Sequence, residues 1–264
     1  MKIDHGFVTP DVSVDNSFVA YDDGKKLGFC TVSPRKMMLF PDCPQQYVLN
    51  AGGKQDGLPL LYGAAIAHAR TLAMKSGRHA RIYAEVDKND KASMDMLRVF
   101  GFEEGDGLRR TYRPLNDRKN LIPKPENCIV LRDFIRVPEE RRYFLDRYNS
   151  YYGCRKDETW LEEMTYRPDF ARILLVSPDG LCGELLTWRE DDVGVIGFVQ
   201  TAAKWRRMGV ASYLMEDARL YLYSAGLRYA RFDVWENVPG CARLAVRNAY
   251  AGREMVKLYP QMYV

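Results

Sequence analysis

The amino-acid sequence predicts an α/β fold built from two tandem copies of one unit. Three observations lead to this prediction: the length of 264 residues, an order of strands and helices that occurs twice, and a charged, proline-containing segment between the two occurrences. At about 150 residues per domain, the length corresponds to about 1.8 domains. Hydrophobic residues make up 47% and charged residues 28% of the chain. These are ordinary values for a globular protein and exclude an intrinsically disordered one.

The first copy shows a strand, a loop, a helix and a second strand in that order. Residues 47–50 read as a strand, and a polar loop with three glycines follows over 51–57. Residues 60–72 have apolar positions at helical spacing, and Gly77 suits the cap that ends such a helix. The alternation and β-forming residues of 80–86 indicate the second strand.

The same order returns about 150 residues later. A strand over 193–199 leads through a loop to a helix over 209–225, and a strand over 229–234 follows. An internal repeat of this kind indicates two copies of one structural unit. The earlier part of the second copy has room for strands over 128–136, 172–176 and 181–188 and for helices over 138–152 and 158–164. We place a linker at 116–126, between domains over 1–115 and 127–264.

The positions of the histidines and cysteines exclude several kinds of active site. All three histidines (His5, His68 and His79) lie in the first 79 residues, so the second half holds neither a Ser-His-Asp triad nor a histidine-based metal site. The six cysteines form no CxxC pair, which favours reduced thiols in a cytoplasmic protein over a metal site. The net charge of +4 does not by itself indicate nucleic acid. No apolar run is long enough for a membrane helix, and the first residues do not resemble a secretion signal.

Residues 205–212 form the most specific motif in the sequence. They end a strand and open a helix, where the first amides point outward at the positive end of the helix dipole. Gly209 and Ala211 would let a phosphate approach the backbone closely. Arg206 and Arg207 add positive charge, and Lys204 could reach a further phosphate. The segment therefore predicts an anion site.

This segment resembles the acetyl-CoA loop of the GNAT acetyltransferase superfamily, written Gln/Arg-x-x-Gly-x-Gly/Ala. Arg206-x-x-Gly209-x-Ala211 fits that pattern position by position. In the first copy, residues 90–102 resemble the family's Asn-x-x-Ala/Ser-x-x-Leu-Tyr-x-x-x-Gly-Phe segment, with Asp90 in place of Asn and Leu97 in place of Tyr. The matches cover about 45–112 and 170–264.

The resemblance implies two GNAT-like domains, each a mixed, mostly antiparallel twisted sheet flanked by helices. It implies that the second domain holds the acetyl-CoA site. The first domain is expected to be shortened and non-catalytic, because its loop reads Lys54-x-x-Gly57-x-Pro59. Residues 103–112 are expected to form the last hairpin of the first copy.

The resemblance also implies a set of site residues. The general acid of the family is usually a tyrosine, and Tyr250 is the nearest candidate in this sequence. The general base is open between Glu184, Glu236, Asp233 and a water chain, and no metal is expected. The residues implied in binding acetyl-CoA, or another acyl-CoA, are Phe198, Val199, Thr201, Lys204, Arg206, Arg207, Met208, Gly209, Val210, Ala211, Ser212 and Asn237.

The implied activity is an acetyl-CoA-dependent N-acyltransferase in which an amine attacks the thioester directly. The expected acceptor is a small-molecule or peptide amine; membrane and nucleic acid are not expected as partners, and a homodimer is left open. Two alternatives remain. One is a non-catalytic acyl-CoA-binding sensor or scaffold, and the other is an aminoacyl-tRNA-dependent ligase of the same fold.

Overall fold

The structure is a computed structural model that describes residues 1–6, 13–35, 43, 45–105, 107–116, 122–152, 156–235 and 238–264. The chain divides into two compact units. The first unit comprises Met1–Leu108, Tyr148–Arg155 and Met255–Val264, and the second comprises Arg109–Arg147 and Lys156–Glu254. Neither unit is one continuous segment, whereas the expected domains over 1–115 and 127–264 were continuous.

Fourteen strands and six α-helices are described. The strands are β1 (Lys2–His5), β2 (Ser17–Asp22), β3 (Lys25–Arg35), β4 (Gln45–Gly53), β5 (Ala80–Ala84), β6 (Val86–Asp87), β7 (Gly107–Pro114), β8 (Ile129–Asp133), β9 (Ala171–Ser177), β10 (Gly180–Glu190), β11 (Val193–Thr201), β12 (Tyr229–Trp235), β13 (Ala251–Leu258) and β14 (Gln261–Tyr263). The helices are α1 (Leu58–Ser76), α2 (Lys91–Val99), α3 (Pro138–Tyr152), α4 (Glu158–Thr165), α5 (Val210–Ser224) and α6 (Pro239–Arg247).

The first unit is built on a six-stranded sheet in the order β1-β2-β3-β4-β5-β14. Only β4 and β5 pair in parallel; the other neighbours are antiparallel. Helix α1 packs on β2, β3 and β4 and buries Leu61, Ala65 and Ala69 at helical spacing. The helix ends at Ser76, and Gly77 caps it as predicted. Gly77 adopts a left-handed conformation, and its N–H group donates to the Met74 carbonyl.

The second sheet has the order β6-β13-β7-β12-β11-β10-β9-β8. Strands β11 and β12 pair in parallel, and β8 to β11 form an antiparallel series. Helix α5 packs on β9, β10 and β11 and contributes Leu214, Ala218 and Leu222 to the core. Both sheets are mixed and mostly antiparallel, and helices flank them. The predicted α/β fold class is therefore confirmed.

The last hairpin of the first copy was placed wrongly from the sequence. Residues 103–112 were expected to complete the first copy, but β7 lies between β12 and β13 in the second sheet. In the first sheet, the position next to β5 is taken by β14, from the end of the chain. Strand pairing between segments so distant in sequence leaves no mark in local periodicity, which explains the error.

A buried ion-pair network fixes α5 in the second unit. Glu216 is fully buried and accepts hydrogen bonds from Arg113 of β7 (2.9 Å) and Arg219 of α5 (2.8 Å). A charge without partners at this depth would be strongly destabilising. The network therefore specifies how β7 and α5 pack and holds the helix that carries the candidate loop.

In the described part of the chain, no helix combines the length and the apolar character that a membrane span requires.

Candidate functional site

The candidate loop connects β11 to α5. A single 3-10 turn over Ala203–Trp205 follows β11, and α5 begins at Val210. Arg207 (φ +65°) and Gly209 (φ +83°) both adopt left-handed conformations. For a residue with a side chain such as Arg207, this conformation costs roughly 1–2 kcal/mol. Backbone strain of this kind is concentrated at functional sites.

The first turn of α5 presents hydrogen-bond donors. Tyr213 is the first residue whose N–H group donates within the helix, to the Gly209 carbonyl at 2.9 Å. Among the described residues, no acceptor receives the N–H groups of Val210, Ala211 and Ser212. These three donors lie at the positive end of a 15-residue helix, which is a favourable position for an anion.

An open cavity of about 470 Å³ lies over this helix start. Its volume falls in the range of small-molecule and cofactor sites. The four arginines that line it are exposed, and none of them forms an ion pair within the described part of the chain. The lining residues are Thr201, Trp205, Arg206, Arg207, Gly209, Val210, Ala211, Ser212, Gly240, Arg243, Leu244 and Arg247.

Gly209 is suited to close approach by a ligand. A Cβ atom built on it would meet no atom of the described residues within 4 Å, so the space above its backbone is open. Its φ of +83° explains why glycine occupies the position. The residue therefore satisfies both requirements of an anion cradle: a turn into the helix and an unobstructed backbone.

Strands β11 and β12 separate next to the loop. Their parallel register runs from Val193–Tyr229 to Ile196–Phe232, although β11 continues to Thr201. Gly197 is an extra residue in β11, since Leu186 pairs with Phe198 while Thr187 pairs with Ile196. Such a bulge bends its strand. The wedge between the two strands opens at the end of β11 that leads into the loop.

The bulge depends on a glycine. A Cβ atom on Gly197 would lie 1.7 Å from Cη2 of Trp188, whose ring is buried. Any side chain at this position would displace the ring. The sequence therefore contains a local signal for the wedge, but its meaning depends on a contact that only the fold creates.

Seven of the twelve predicted cofactor residues line the cavity: Thr201, Arg206, Arg207, Gly209, Val210, Ala211 and Ser212. Of the others, Phe198 is buried with its ring 5.9 Å from that of Phe144, and Val199 is partly buried beside the core. Lys204 pairs with Asp179 at 3.3 Å, and Met208 is 57% exposed. Asn237 lies outside the described residues.

Glu184, one of the predicted bases, is held in an ion-pair cluster. It is 1% exposed, and Arg147 donates to it through Nε (2.8 Å) and Nη2 (3.0 Å). Arg172 donates through Nε at 3.0 Å. Accepting a proton would require breaking these charge-assisted bonds, so the geometry favours a structural role. Glu236 lies outside the described residues, and Asp233 pairs with Arg110 at 3.3 Å.

Tyr250, the predicted acid, lies apart from the cavity. It is 4% exposed and packs edge-on against Phe232 at 5.9 Å. Its hydroxyl has no hydrogen-bond partner among the described residues, and burial raises the pKa of that hydroxyl. It lines a separate, small cavity with Thr111 and Val234. No described residue lines both cavities.

Sequence reasoning missed the wall of the cavity that α6 provides. Gly240, Arg243, Leu244 and Arg247 line it. The spacing of Arg243 and Arg247, four residues apart, places both on one face of a helix. That spacing was the available signal, but only the fold shows that this face turns towards the loop.

The first unit has a different helix start. Gly57 precedes α1 with a φ of −87°, and a Cβ atom on it would lie 2.8 Å from Cβ of Leu27. Pro59 has no N–H group to offer in the first turn. The register of β3 with β4 continues from Gly28–Gly53 to Arg35–Gln46 without a bulge. Within the described residues, the left-handed glycine at the helix start and the bulged strand are therefore specific to the second unit.

Several solved structures similar to this one are GCN5-related or GNAT proteins. A GCN5-related N-acetyltransferase from Sphaerobacter thermophilus matches with a TM-score of 0.55 and 16% identity over 94% of this chain and 81% of its own. A tandem GNAT protein from the clavulanic acid biosynthesis pathway matches with a TM-score of 0.50 and 12% identity over 94% and 82%. The fold is that of the GNAT acetyltransferases.

A third GNAT structure extends the comparison. A GCN5-related N-acetyltransferase from Anabaena variabilis matches with a TM-score of 0.58 and 11% identity, over 96% of this chain and 63% of that longer protein. No protein-family model matches the sequence, and the search of curated proteins gave no match. At these identities, the similarity establishes the GNAT fold, including its tandem form, and not an activity.

Proposed function

We propose that this protein is an N-acyltransferase whose second unit binds acetyl-CoA, or another acyl-CoA, and transfers the acyl group to an amine. The observation that carries the proposal is the start of α5. Three amide donors have no acceptor among the described residues, two residues are left-handed, and an arginine-lined cavity lies beside an open wedge in the sheet. The GNAT fold of the chain supports the same conclusion.

The residues present fit the diphosphate end of CoA. The N–H groups of 210–212 and the guanidinium groups of Arg206 and Arg207 would hold the pyrophosphate. The open backbone at Gly209 leaves room for it. The wedge between β11 and β12 would receive the pantetheine arm. When bound, the acyl-CoA supplies the thioester that the amine attacks.

The chain's own contribution is binding, orientation and polarisation. A backbone N–H group of β11 within 197–201 would donate to the thioester carbonyl oxygen and so stabilise the charge that develops there. The amine nitrogen forms a bond to the carbonyl carbon, the carbon–sulfur bond breaks, and the thiolate takes up a proton. The amine loses a proton through water, or through Asp233 or Glu236 of the predicted bases.

In this proposal the first unit serves a structural role. The residue before α1 is not a left-handed glycine, and β4 has no bulge in its pairing with β3. The proposed acceptor is a small-molecule or peptide amine.

Two measurements test the proposal. Isothermal titration calorimetry measures CoA binding to the full chain, and release of free CoA is followed with acetyl-CoA and a panel of amines. Gly209→Trp, or Arg206→Glu combined with Arg207→Glu, is expected to abolish CoA binding while the protein stays folded. A folded variant with unchanged affinity would refute the loop assignment.

The two alternatives predict different results. CoA binding without turnover on any amine would favour a sensor or scaffold. Turnover that requires an aminoacyl-tRNA would favour the ligase.

A further inference from the structure

Helix α6 brings a second pair of positive charges to the cavity. Arg243 and Arg247 line it together with Gly240 and Leu244 of the same helix. Both arginines are exposed, and within the described part of the chain neither pairs with a carboxylate. They lie four residues apart, so their side chains are neighbours on one face of α6.

Like charges at this spacing destabilise a helix slightly unless something compensates them. The helix dipole favours a cation only within the last turn. It therefore accounts for Arg247, the last residue of α6, but not for Arg243 in the middle of this nine-residue helix. A bound anion would compensate both.

The loop between β11 and α5 already provides enough cations and hydrogen-bond donors for one pyrophosphate. Arg206 and Arg207 match its two negative charges, and the amides of α5 provide further donors. The α6 pair is additional to this set.

We propose that Arg243 and Arg247 bind a second phosphate of the same ligand, the 3′-phosphate of CoA. The cavity would then select CoA over dephospho-CoA, which differs from it only by lacking that group. This inference rests on the proposed function, because it assumes that the pyrophosphate of CoA lies on the start of α5.

The test compares the two ligands on the full chain by isothermal titration calorimetry at one fixed, low salt concentration. The wild-type protein is expected to bind CoA at least tenfold more tightly than dephospho-CoA. In the double variant Arg243→Gln with Arg247→Gln, the affinity for CoA should fall to that for dephospho-CoA. The affinity for dephospho-CoA should stay within about twofold of the wild-type value.

Arg228→Gln is the matched control. It removes an exposed arginine from the same unit just beyond the other end of α5, about 22 Å along the helix at 1.5 Å per residue. This variant should keep the full preference for CoA. Because glutamine is a good helix former, the α6 variants are expected to fold, and circular dichroism checks this.

The outcomes separate the two proposals. Equal binding of CoA and dephospho-CoA by the wild-type protein would overturn this inference and leave the proposed function standing. An equal loss of both ligands in the double variant would also overturn it, since the arginines would then act on the shared pyrophosphate. If neither ligand binds the wild-type protein, the proposed function fails and this inference fails with it.

Discussion

Two glycines at the ends of α5 allow the role of the loop to be separated from stability. Gly209 precedes the helix with a φ of +83°, and Gly226 follows it with a φ of +86°. Within the part of the chain that the structure describes, a Cβ atom on either residue would meet no atom within 4 Å. Substituting alanine therefore causes the same backbone strain at both positions and no clash at either.

The strain sets the size of the stability effect. A residue with a Cβ atom in the left-handed region costs roughly 1–2 kcal/mol, so each variant should lose about 1 kcal/mol of unfolding free energy. For a chain of this size, that corresponds to a fall in Tm of about 2–4 °C. Gly209→Ala and Gly226→Ala should melt at nearly the same temperature.

Their affinities for CoA should differ. Only Gly209→Ala places a methyl group in the open space where the proposed pyrophosphate approaches the backbone. We expect it to bind CoA at least tenfold more weakly, which corresponds to about 1.4 kcal/mol, while Gly226→Ala binds like the wild-type protein. Calorimetry and thermal melts measure the two effects. Equal CoA affinities in two equally destabilised variants would refute the assignment of the loop.

Four further predictions follow from individual residues. Lys54→Glu should change CoA affinity and turnover by less than about twofold, as for an ordinary surface substitution; a larger loss would give the first unit a part in the reaction. Tyr250→Phe should keep its turnover and its stability, because it removes a buried hydroxyl that has no hydrogen-bond partner in the described structure; a tenfold fall in kcat would restore the acid role. Glu216→Gln removes the carboxylate that two buried arginines share. It should lower the free energy of unfolding by about 3 kcal/mol and Tm by about 10 °C. A Tm within about 2 °C of the wild-type value would contradict this. Asp90 caps α2 by accepting hydrogen bonds from Ser93, and these bonds lower the pKa of the Asp90 carboxyl. Asp90→Ala should therefore lower the free energy of unfolding by about 1 kcal/mol above pH 4. In denaturant melts, this difference from the wild-type protein should disappear as the pH falls further.

Local patterns in the sequence were sufficient for the helices and for the loop. The helices predicted over 60–72 and 209–225 occur as α1 and α5, because apolar spacing and glycine caps are local signals. Asp90 caps its helix in place of the family's Asn, since either side chain can accept from the Ser93 amide.

Contacts between distant segments were not accessible in this way. The positions of β7 and β14 depend on pairings with strands more than a hundred residues away, and each reads only as a strand by itself. Glu184 was a candidate base because its carboxylate lies on the strand before β11, whereas Arg147 and Arg172, from other elements, make it part of a buried cluster. The same limitation hid Arg243 and Arg247, whose spacing is visible but whose position against the loop is not.

The most direct test of the central claim is a crystal structure of the full chain soaked with CoA. We expect one CoA molecule per chain, with its pyrophosphate on the N–H groups of 210–212 and its pantetheine arm in the wedge between β11 and β12. CoA bound at the start of α1, or bound elsewhere with the start of α5 empty, would contradict the account.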